Sequence, residues 1–323
     1  MTADLTNPVF QDEAKAREWL EASRWPNGPV CAHCGATAER VRKLLGVKDK
    51  KGRERQGLYQ CNECHGQFTV MMGTLYERSH IPLHKWLLAT HLMTSSKKGM
   101  SAHQLHRMLG VTYKTAWFMG HRIREGMTDT NPSPIGGSGK IIEADEAFVG
   151  GKEGNKHRNK RKLMGRGYDG KEMVFSLVER GGKARSFHVP SISTKELRPI
   201  LMAHAHPGSA LMTDEGHGLS MVDKEFARRG MVRHAKGEYA RGDIHTNTVE
   251  GFFSIFKRGV MGTYHHVSAQ HLKRYLAEFD FRYTNRASVG VNDAMRAEKA
   301  LKGIEGKRLT YRRIGEGRSH SQD

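Results

Sequence analysis

The sequence has 323 residues, of which 53 are lysine or arginine and 34 are aspartate or glutamate, so the net charge is +19 with neutral histidines. Such a positive excess is typical of proteins that bind a polyanion, above all nucleic acid. A hydrophobic content of 37% in ordered blocks argues against wholesale disorder. No apolar run reaches the roughly 18 residues of a membrane span, and the polar start of the chain lacks the layout of a signal peptide. We therefore expect a cytoplasmic, nucleoid-associated protein without a membrane partner.

The first predicted domain, residues 8–75, contains every cysteine of the chain. Cys31 and Cys34 form one CxxC knuckle, and Cys61 and Cys64 form a second after 26 intervening residues. Two knuckles offer four thiolates, which fill the tetrahedral shell of a structural Zn²⁺. A redox dithiol needs only one pair, and core cysteines do not come in matched knuckles. We predict a zinc ribbon whose basic intervening segment forms an extended hairpin.

Residues 80–127 show helical periodicity and predict a helix-turn-helix DNA-binding region. Two amphipathic patterns flank Gly110, which supplies the turn, and Thr112 is placed to cap the second helix. The side chains predicted to face outward and to contact DNA are Tyr113, Lys114, Arg122 and Arg124. An ordinary helical hairpin has the same short pattern and stays open as an alternative.

A segment rich in Gly, Pro and Ser at 128–139 predicts a linker, and a basic, partly disordered tail is predicted at 291–323. Between them, residues 140–290 alternate strand and helix signals. The predicted elements are strands at 140–149, 173–178 and 185–189, a helix at 193–205, a strand at 209–214, a helix at 219–229, a strand at 231–235 and a helix at 247–258. This is the element order of the ribonuclease H-like fold. The expected fold class is multidomain α/β, with a mixed-sheet catalytic domain after the zinc ribbon and the helix-turn-helix.

Three acidic residues stand in the elements that this fold brings together. Asp145 lies within an apolar predicted strand, where a charge is costly unless it binds something, and Asp214 ends another strand. Glu250 lies early in the last predicted helix. Three carboxylates there could hold two Mg²⁺ ions, which activate the attacking oxygen and stabilise the leaving one. Lys257, two helical turns after Glu250, would face the DNA backbone near the metals.

Each of these acids also has a simpler explanation. Glu250 could belong to a capping box with Asn247, Asp145 could pair with a lysine, and Asp214 could cap a turn. Lower-ranked acids beside the triad are Glu143, Glu146 and Glu215. The occurrence of all three acids in the expected elements and order favours the metal site over three unrelated explanations.

A basic loop follows the first catalytic strand, at residues 152–171, and includes Lys160 and Arg161. A run of like charge is usually a solvated surface, but the position of this one beside the proposed metal site suits contacts with strand phosphates. The chain has no GxSxG elbow and no Walker phosphate loop, which argues against a serine hydrolase and a P-loop ATPase.

Taken together, these residues resemble the bacterial insertion-sequence transposases of the 1595 family over nearly the whole chain. The segments that carry the resemblance are the four cysteines and residues 143–152, 213–215, 245–257 and 262–266. The resemblance implies a DDE catalytic core in the ribonuclease H-like fold that acts on the terminal inverted repeats of its own element. Some members of the family have Asn as third residue, so Asn247 competes with Glu250, which is the better Mg²⁺ ligand.

The expected function is therefore that of a DNA transposase, which cleaves the element ends with Mg²⁺ and joins the freed strands to target DNA. Its partners would be double-stranded DNA and further copies of itself, as a homo-oligomer on DNA. A non-enzymatic DNA-binding regulator derived from a transposase is one alternative, but it leaves the acidic domain unexplained. A ribonuclease H-like nuclease without strand transfer is another.

Overall fold

The computed structural model describes residues 4–151, 157–160, 170–215 and 224–310. The chain forms two compact units. The first consists of Met1–His91, Ala102–Gly126 and Ala300–Asp323, and the second of Leu92–Ser101 and Met127–Lys299. In the part of the chain that the structure describes, no helix is both long enough and apolar enough to cross a membrane.

The first unit contains a helix and a small antiparallel sheet near its amino end. Their bounds are α1 Glu13–Arg24, β1 Val41–Leu44, β2 Leu58–Cys61 and β3 Gln67–Phe68. The Asp12 carboxylate accepts a hydrogen bond from Lys15 N at 2.8 Å and so caps the first turn of α1. β1 and β2 pair with Val41 opposite Cys61, so the segment between the two cysteine knuckles is the hairpin expected from the sequence.

Three helices follow, with the bounds α2 Leu83–Ser95, α3 Ala102–Leu109 and α4 Tyr113–Gly126. α3 packs on α4, and the turn between them contains Gly110 at φ 60°, a backbone conformation that favours glycine. Thr112 Oγ1 accepts a hydrogen bond from Thr115 N at 3.2 Å and caps α4. The turn and the cap therefore occur where the sequence places them, while the role of these helices in DNA binding stays a prediction.

The prediction that Arg124 faces outward is wrong. Its side chain is buried, and its guanidinium lies against Gly120, where any larger residue would crowd it. Arg124 follows the buried residues Ala116 and Gly120 at intervals of four, so it continues the inward stripe of α4. The positive charge of Arg124 predicted a surface position, although its spacing continues the buried stripe of α4.

A five-stranded mixed sheet forms the centre of the second unit, in the order β6-β5-β4-β7-β8. Its strands are β4 Ile141–Val149, β5 Glu172–Glu179, β6 Ala184–Val189, β7 Ala210–Thr213 and β8 Arg228–Met231. β4, β5 and β6 form antiparallel pairs, whereas β4–β7 and β7–β8 are parallel. The predicted mixed-sheet α/β architecture of this unit is thus confirmed.

Helices cover both faces of this sheet. Their bounds are α5 Thr194–His204, α6 Asn247–Gly259 and α7 Ala269–Thr284. Side chains that alternate along β5 enter different cores: Val174 and Val178 pack with α6 and α7, whereas Phe175 and Leu177 pack with α5. A strand with apolar residues on both faces is the expected pattern for the middle of a three-layer arrangement.

The region between β7 and α6 differs from its prediction. Arg228 and Arg229 belong to β8 and not to the end of a helix at 219–229, and the strand expected at 231–235 lies earlier, at Arg228–Met231. Gly230 permits this strand, because a side chain there would collide with Met212 and Ile244. Two short strands, β9 Ala240–Arg241 and β10 Ile244–His245, form a hairpin that the sequence did not indicate.

The predicted linker and tail also need correction. Ile135, within the segment expected to be a linker, is buried and forms a parallel bridge with Ala205, so this segment is part of the folded second unit. Residues 293–302 of the expected tail form helix α8, Asp293–Lys302. Ala297, Ala300 and Leu301 are buried on that helix, a short apolar stripe that the surrounding charges hid. Residues 311–323 lie outside the described residues.

Candidate active site

The parallel pairing of β4 with β7 brings two of the predicted acids together. Ala144 is opposite Thr213, and β7 ends there, so the next residues, Asp145 and Asp214, are neighbours at the carboxyl end of β7. Asp145, Glu146 and Asp214 each have a carboxylate oxygen that lies within 4.8 Å of those of the other two. Glu146 adjoins Asp145 on β4, and sequence reasoning ranked it below the triad.

The cluster is electrostatically unfavourable without a cation. Burial, followed by the charges of Asp214 and Glu146, raises the pKa of Asp145 to about 8. Burial and the charge of Asp214 raise the pKa of Glu146 to about 7. Hard oxygen donors that repel one another at this spacing fit a divalent cation such as Mg²⁺, which prefers carboxylate ligands. The donor set therefore fits the metal that the sequence predicted.

Glu250 lies close to this cluster but is not among its three members within the described residues. It lines a cavity of about 800 Å³ together with Asp145 and Glu146, and its charge contributes to the raised pKa of Asp145. Its carboxylate accepts a hydrogen bond from Thr246 Oγ1 at 2.7 Å, and His234 Nε2 lies 3.6 Å away. The side chain is 47% exposed, which leaves it able to approach a ligand in the cavity.

The capping-box explanation of Glu250 is not supported by the helix. α6 has Thr246 as its N-cap and Asn247 as its first residue, so Glu250 is the fourth residue and not the third. Asn247 is exposed and is not one of the residues that line the carboxylate cavity. Of the two candidates for the third catalytic position, Glu250 is the one that faces the other acids.

Glu143 has a structural role that sequence reasoning missed. It is completely buried, and its Oε2 accepts hydrogen bonds from Thr248 N at 2.7 Å and Val249 N at 2.9 Å, two amide groups in the first turn of α6. Arg180 Nε donates to its other oxygen at 2.5 Å, and His245 Nδ1 lies 3.3 Å from it. Glu143 thus fastens the amino end of α6 to β4. The sequence signal for a role of Glu143 was its position two residues before Asp145, on the same face of an apolar strand.

Basic and polar side chains surround the carboxylates in the same cavity. Lys257 and Glu250 both line it, as their spacing of seven residues on one helix predicted. Lys257 Nζ lies 5.9 Å from the centre of the Phe253 ring. Lys98 and Arg258 add two further positive groups. Such an arrangement can hold a polyanionic strand beside the acids, because the cations offset the repulsion between phosphates and carboxylates.

The four cysteines form a second site that fits a metal, in the first unit. Their Sγ atoms lie within 4.8 Å of one another, with 3.6 Å between Cys31 and Cys64 and 3.6 Å between Cys34 and Cys61. Four thiolates at this spacing fit the shell of a structural Zn²⁺. The His33 ring is not part of the thiol cluster, since its Nε2 lies 3.2 Å from the carbonyl of Gln67, but the backbone amide of His33 donates to Cys31 Sγ at 3.4 Å.

The predicted DNA-contacting side chains of the α3–α4 region differ in availability. Tyr113 and Lys114 are exposed, and the Tyr113 ring lies 4.4 Å from the ring of His103. Arg122 is partly buried, donates to the carbonyls of Leu309 and Glu77, and lies over the ring of Phe118. It is therefore largely engaged within the first unit.

The basic loop after β4 is described only in part. Arg158–Lys160 forms a short 3-10 turn, but the side chain of Lys160 lies outside the described residues, as does Arg161 altogether. Their predicted contacts with DNA stay predictions.

Comparison with protein families places this geometry in a known class. A transposase zinc-ribbon domain matches residues 11–67, and an ISXO2-like transposase domain matches residues 137–284. A zinc ribbon followed by this domain defines a transposase of the DDE class. The chain belongs to the 1595 family of insertion-sequence transposases, for which both of these domains are described.

Two relatives extend the comparison. An "Uncharacterized protein in transposable element ISH50" of Halobacterium salinarum is 28% identical over 284 residues, which cover 85% of this chain and 92% of that protein. Male abnormal protein mab-31 of Caenorhabditis elegans is 24% identical over 255 residues, which cover 72% of this chain and 56% of that protein. The first of these relatives is named as a protein of a transposable element.

Proposed function

We propose that this protein is an active DNA transposase, which binds the terminal inverted repeats of its element and catalyses Mg²⁺-dependent strand cleavage and strand transfer. The observation that carries the proposal is the cluster of Asp145, Glu146 and Asp214 at the carboxyl end of β7, within the residues that match a transposase domain. A regulator that only binds DNA has no use for buried acids whose charges repel one another.

The residues proposed to hold two Mg²⁺ ions are Asp145, Asp214 and Glu250, with Glu146 as a neighbouring donor. When bound, the metal would lower the pKa of the attacking hydroxyl and stabilise the charge on the leaving oxygen. Lys257, Lys98 and Arg258 would hold the phosphates of the strand against the carboxylates. Glu143 would fix the distance between α6 and β4, and hence between Glu250 and Asp145.

The proposed reaction has two balanced steps at this site. In the first, a water oxygen bonds to the phosphorus at the element end and the bond to the 3′ oxygen breaks, which leaves a 3′ hydroxyl and a 5′ phosphate. In the second, that 3′ hydroxyl bonds to a phosphorus of target DNA and displaces a target 3′ oxygen, which takes up a proton. Neither step requires a covalent intermediate with the protein.

The test is incubation of the full chain with Mg²⁺, labelled element ends and a plasmid target. Joined products support the transposase, cut products alone indicate a nuclease, and intact ends indicate a regulator. Asp145→Asn should abolish both products while retaining the binding of element ends. Asp243→Asn, which changes an exposed acid of the same unit, is the matched control. Joining by the Asp145→Asn variant would refute the proposed role of this residue.

Recognition of the element ends is proposed to use the zinc ribbon and the α3–α4 region. Tyr113 and Lys114 are the exposed predicted contacts there, and an exposed lysine suits a DNA phosphate. Lys114→Gln should weaken end binding in a gel-shift titration, with a smaller dependence on salt. Cys61→Ser should lower the zinc content and the end affinity together. Multi-angle light scattering with and without paired ends tests the proposed homo-oligomer.

A further inference from the structure

A second cavity in the second unit, of about 410 Å³, is not used by the proposed reaction. We call it the arginine pocket, and the residues that matter for it are Lys97, Phe252, Arg282, Tyr283, Arg286 and Ser288. Phe252 and Ile255 of α6 line this pocket, whereas Glu250 and Lys257 line the carboxylate cavity. Because residues at these spacings lie on different faces of a helix, the two cavities are separated by α6.

Arg282 supplies the most unusual feature of the pocket wall. Its side chain is only 6% exposed, and Nη1 is paired with Glu278. Its Nε and Nη2 are buried and have no hydrogen-bond partner among the described residues. A buried N–H group without an acceptor is unfavourable, so a small adjustment that gave these groups an oxygen acceptor would be a net gain. The guanidinium rests over the Phe279 ring, 4.5 Å from its centre.

Arg286 adds a donor group that is only partly used. Its guanidinium stacks on the Tyr283 ring, 4.1 Å from the centre, and its Nη1 donates to the carbonyls of Gly182 and Tyr283. Among the described residues, both of these hydrogen bonds use Nη1, which leaves Nε and Nη2 of Arg286 for a ligand. The planar arginine fork matches the paired oxygens of a phosphate.

The remaining charges leave the pocket positive. Asp293 is paired with Arg296 at 2.7 Å, and Glu278 with Arg282, so both acids near the wall are already neutralised. Lys97 is exposed and adds a free positive group beside the hydroxyls of Ser95 and Ser288. Aromatic rings complete the wall, with Phe252 set edge-on to Tyr283 at 5.3 Å.

We propose that the arginine pocket binds a nucleotide, with its phosphate on Arg286 and Lys97 and its base against the partly exposed Tyr283 ring. The volume lies in the range of pockets for small ligands, and the combination of guanidinium forks with aromatic faces is the chemistry that recognises a base joined to a phosphate. The nucleotide has two possible sources, a free mononucleotide or one residue of a DNA strand. The chemistry of recognition is the same for both.

The test measures binding of fluorescent dAMP to the full chain in a buffer without Mg²⁺, where no cleavage can occur, so the result is independent of the proposed reaction. Unlabelled dAMP, inorganic phosphate, adenosine and a 5′-phosphorylated trinucleotide serve as competitors. We expect dAMP and phosphate to compete and adenosine to compete weakly. A fluorescent 5′-phosphorylated trinucleotide is titrated in parallel: tighter binding of dAMP identifies the free nucleotide as the source, whereas binding of the labelled trinucleotide but not of labelled dAMP identifies the strand.

Variants then locate the site. Arg286→Gln should raise the dissociation constant about tenfold, the scale of one lost charged hydrogen bond, and Lys97→Gln by a smaller factor. Ser288→Trp should block the pocket without removing charge, and both Lys97 and Ser288 are exposed, so these variants should fold normally. Lys273→Gln, an exposed position of α7 outside the pocket, is the matched control.

Two results would overturn the proposal. One is that none of the phosphorylated probes binds. The other is binding that Ser288→Trp and Arg286→Gln leave unchanged but Lys257→Gln removes, since that pattern would assign the nucleotide to the carboxylate cavity.

Discussion

Two carboxylates on the same face of β4, only two residues apart, have opposite surroundings. Glu143 is completely buried, and its charge is matched by Arg180 and by two amide groups of α6. Asp145 faces Asp214 and Glu146, and burial together with these charges raises its pKa to about 8. A buried acid that is paired with a positive group and hydrogen-bond donors stabilises the fold. A buried acid beside other acids is repelled by them, and a bound cation relieves that repulsion. Glu143 therefore has a structural role, and Asp145 is the residue proposed to take part in the chemistry.

Replacement of Asp145, the acid that lies beside like charges, should have the largest effect on cleavage. Asp145→Asn should reduce cleavage by about a thousandfold, because several kcal/mol of metal-dependent charge stabilisation are lost. In the absence of Mg²⁺ the same variant should melt at a higher temperature than the natural protein, since a repulsion is removed. Cleavage of labelled ends and differential scanning calorimetry in a buffer without Mg²⁺ measure the two effects. A lower melting temperature of the Asp145→Asn variant would instead indicate that Asp145 stabilises the fold, as Glu143 does.

Replacement of Glu143, the acid whose charge is matched, should lower the stability of the protein instead of raising it. Glu143→Ala should lower the free energy of unfolding by about 3 kcal/mol, because it leaves Arg180 and the first turn of α6 without an acceptor. Glu143→Gln should cost less, since its amide oxygen can still accept from Thr248 and Val249. Urea titration followed by circular dichroism measures the loss. Equal stability of the alanine variant and the natural protein would contradict the anchoring role.

Lys257 tests whether the cations around the acids act on the substrate. Lys257→Gln should lower kcat/KM for cleavage by about tenfold, or 1.4 kcal/mol, and the loss should shrink at high salt. Its effect on melting should be small, because the residue is exposed on α6. Lys273→Gln, on α7, should change neither quantity. A loss that is independent of salt would argue against a phosphate contact.

Asp280 is an intermediate case and should have the smallest effect on cleavage, because it does not line the carboxylate cavity. Ser186 donates two hydrogen bonds to it at 2.7 Å, yet burial raises its pKa to about 7. Because the folded pKa exceeds the unfolded value of 3.8, the protonated form stabilises the fold at low pH, and this contribution is lost as pH rises towards 7. Asp280→Asn should flatten the decline in unfolding free energy between about pH 4 and 7 by roughly 4 kcal/mol, the equivalent of a rise in pKa from 3.8 to about 7.

The prediction for Asp280 is tested by the difference in unfolding free energy between the variant and the natural protein without Mg²⁺, since Asp145 and Glu146 change stability in the same direction with pH. Identical pH profiles of the two proteins would show that Asp280 does not titrate in this range.

The sequence predicted the parts of the site that a local pattern encodes. Asp145 was visible as a charge within an apolar strand, and Asp214 as an acid at a strand end. Glu143 has the same local pattern as Asp145, but its partners Arg180 and Thr248 are distant in sequence, so its role depended on the fold. Arg124 was misassigned because the inward face of α4 includes one charged position. β9 and β10 were too short for any periodicity to indicate them.

Because of the register of β4 against β7, the position of Asp145 beside Asp214 depends on the number of residues in β4. A residue inserted before Ile141, or in the turn between β5 and β6, leaves Ala144 opposite Thr213 and keeps Asp145 beside Asp214. A single residue gained or lost between Ile142 and Asp145 turns that carboxylate to the other face of a sheet that can still form. The position of one length change would therefore decide whether a variant keeps the acidic cluster or only the sheet.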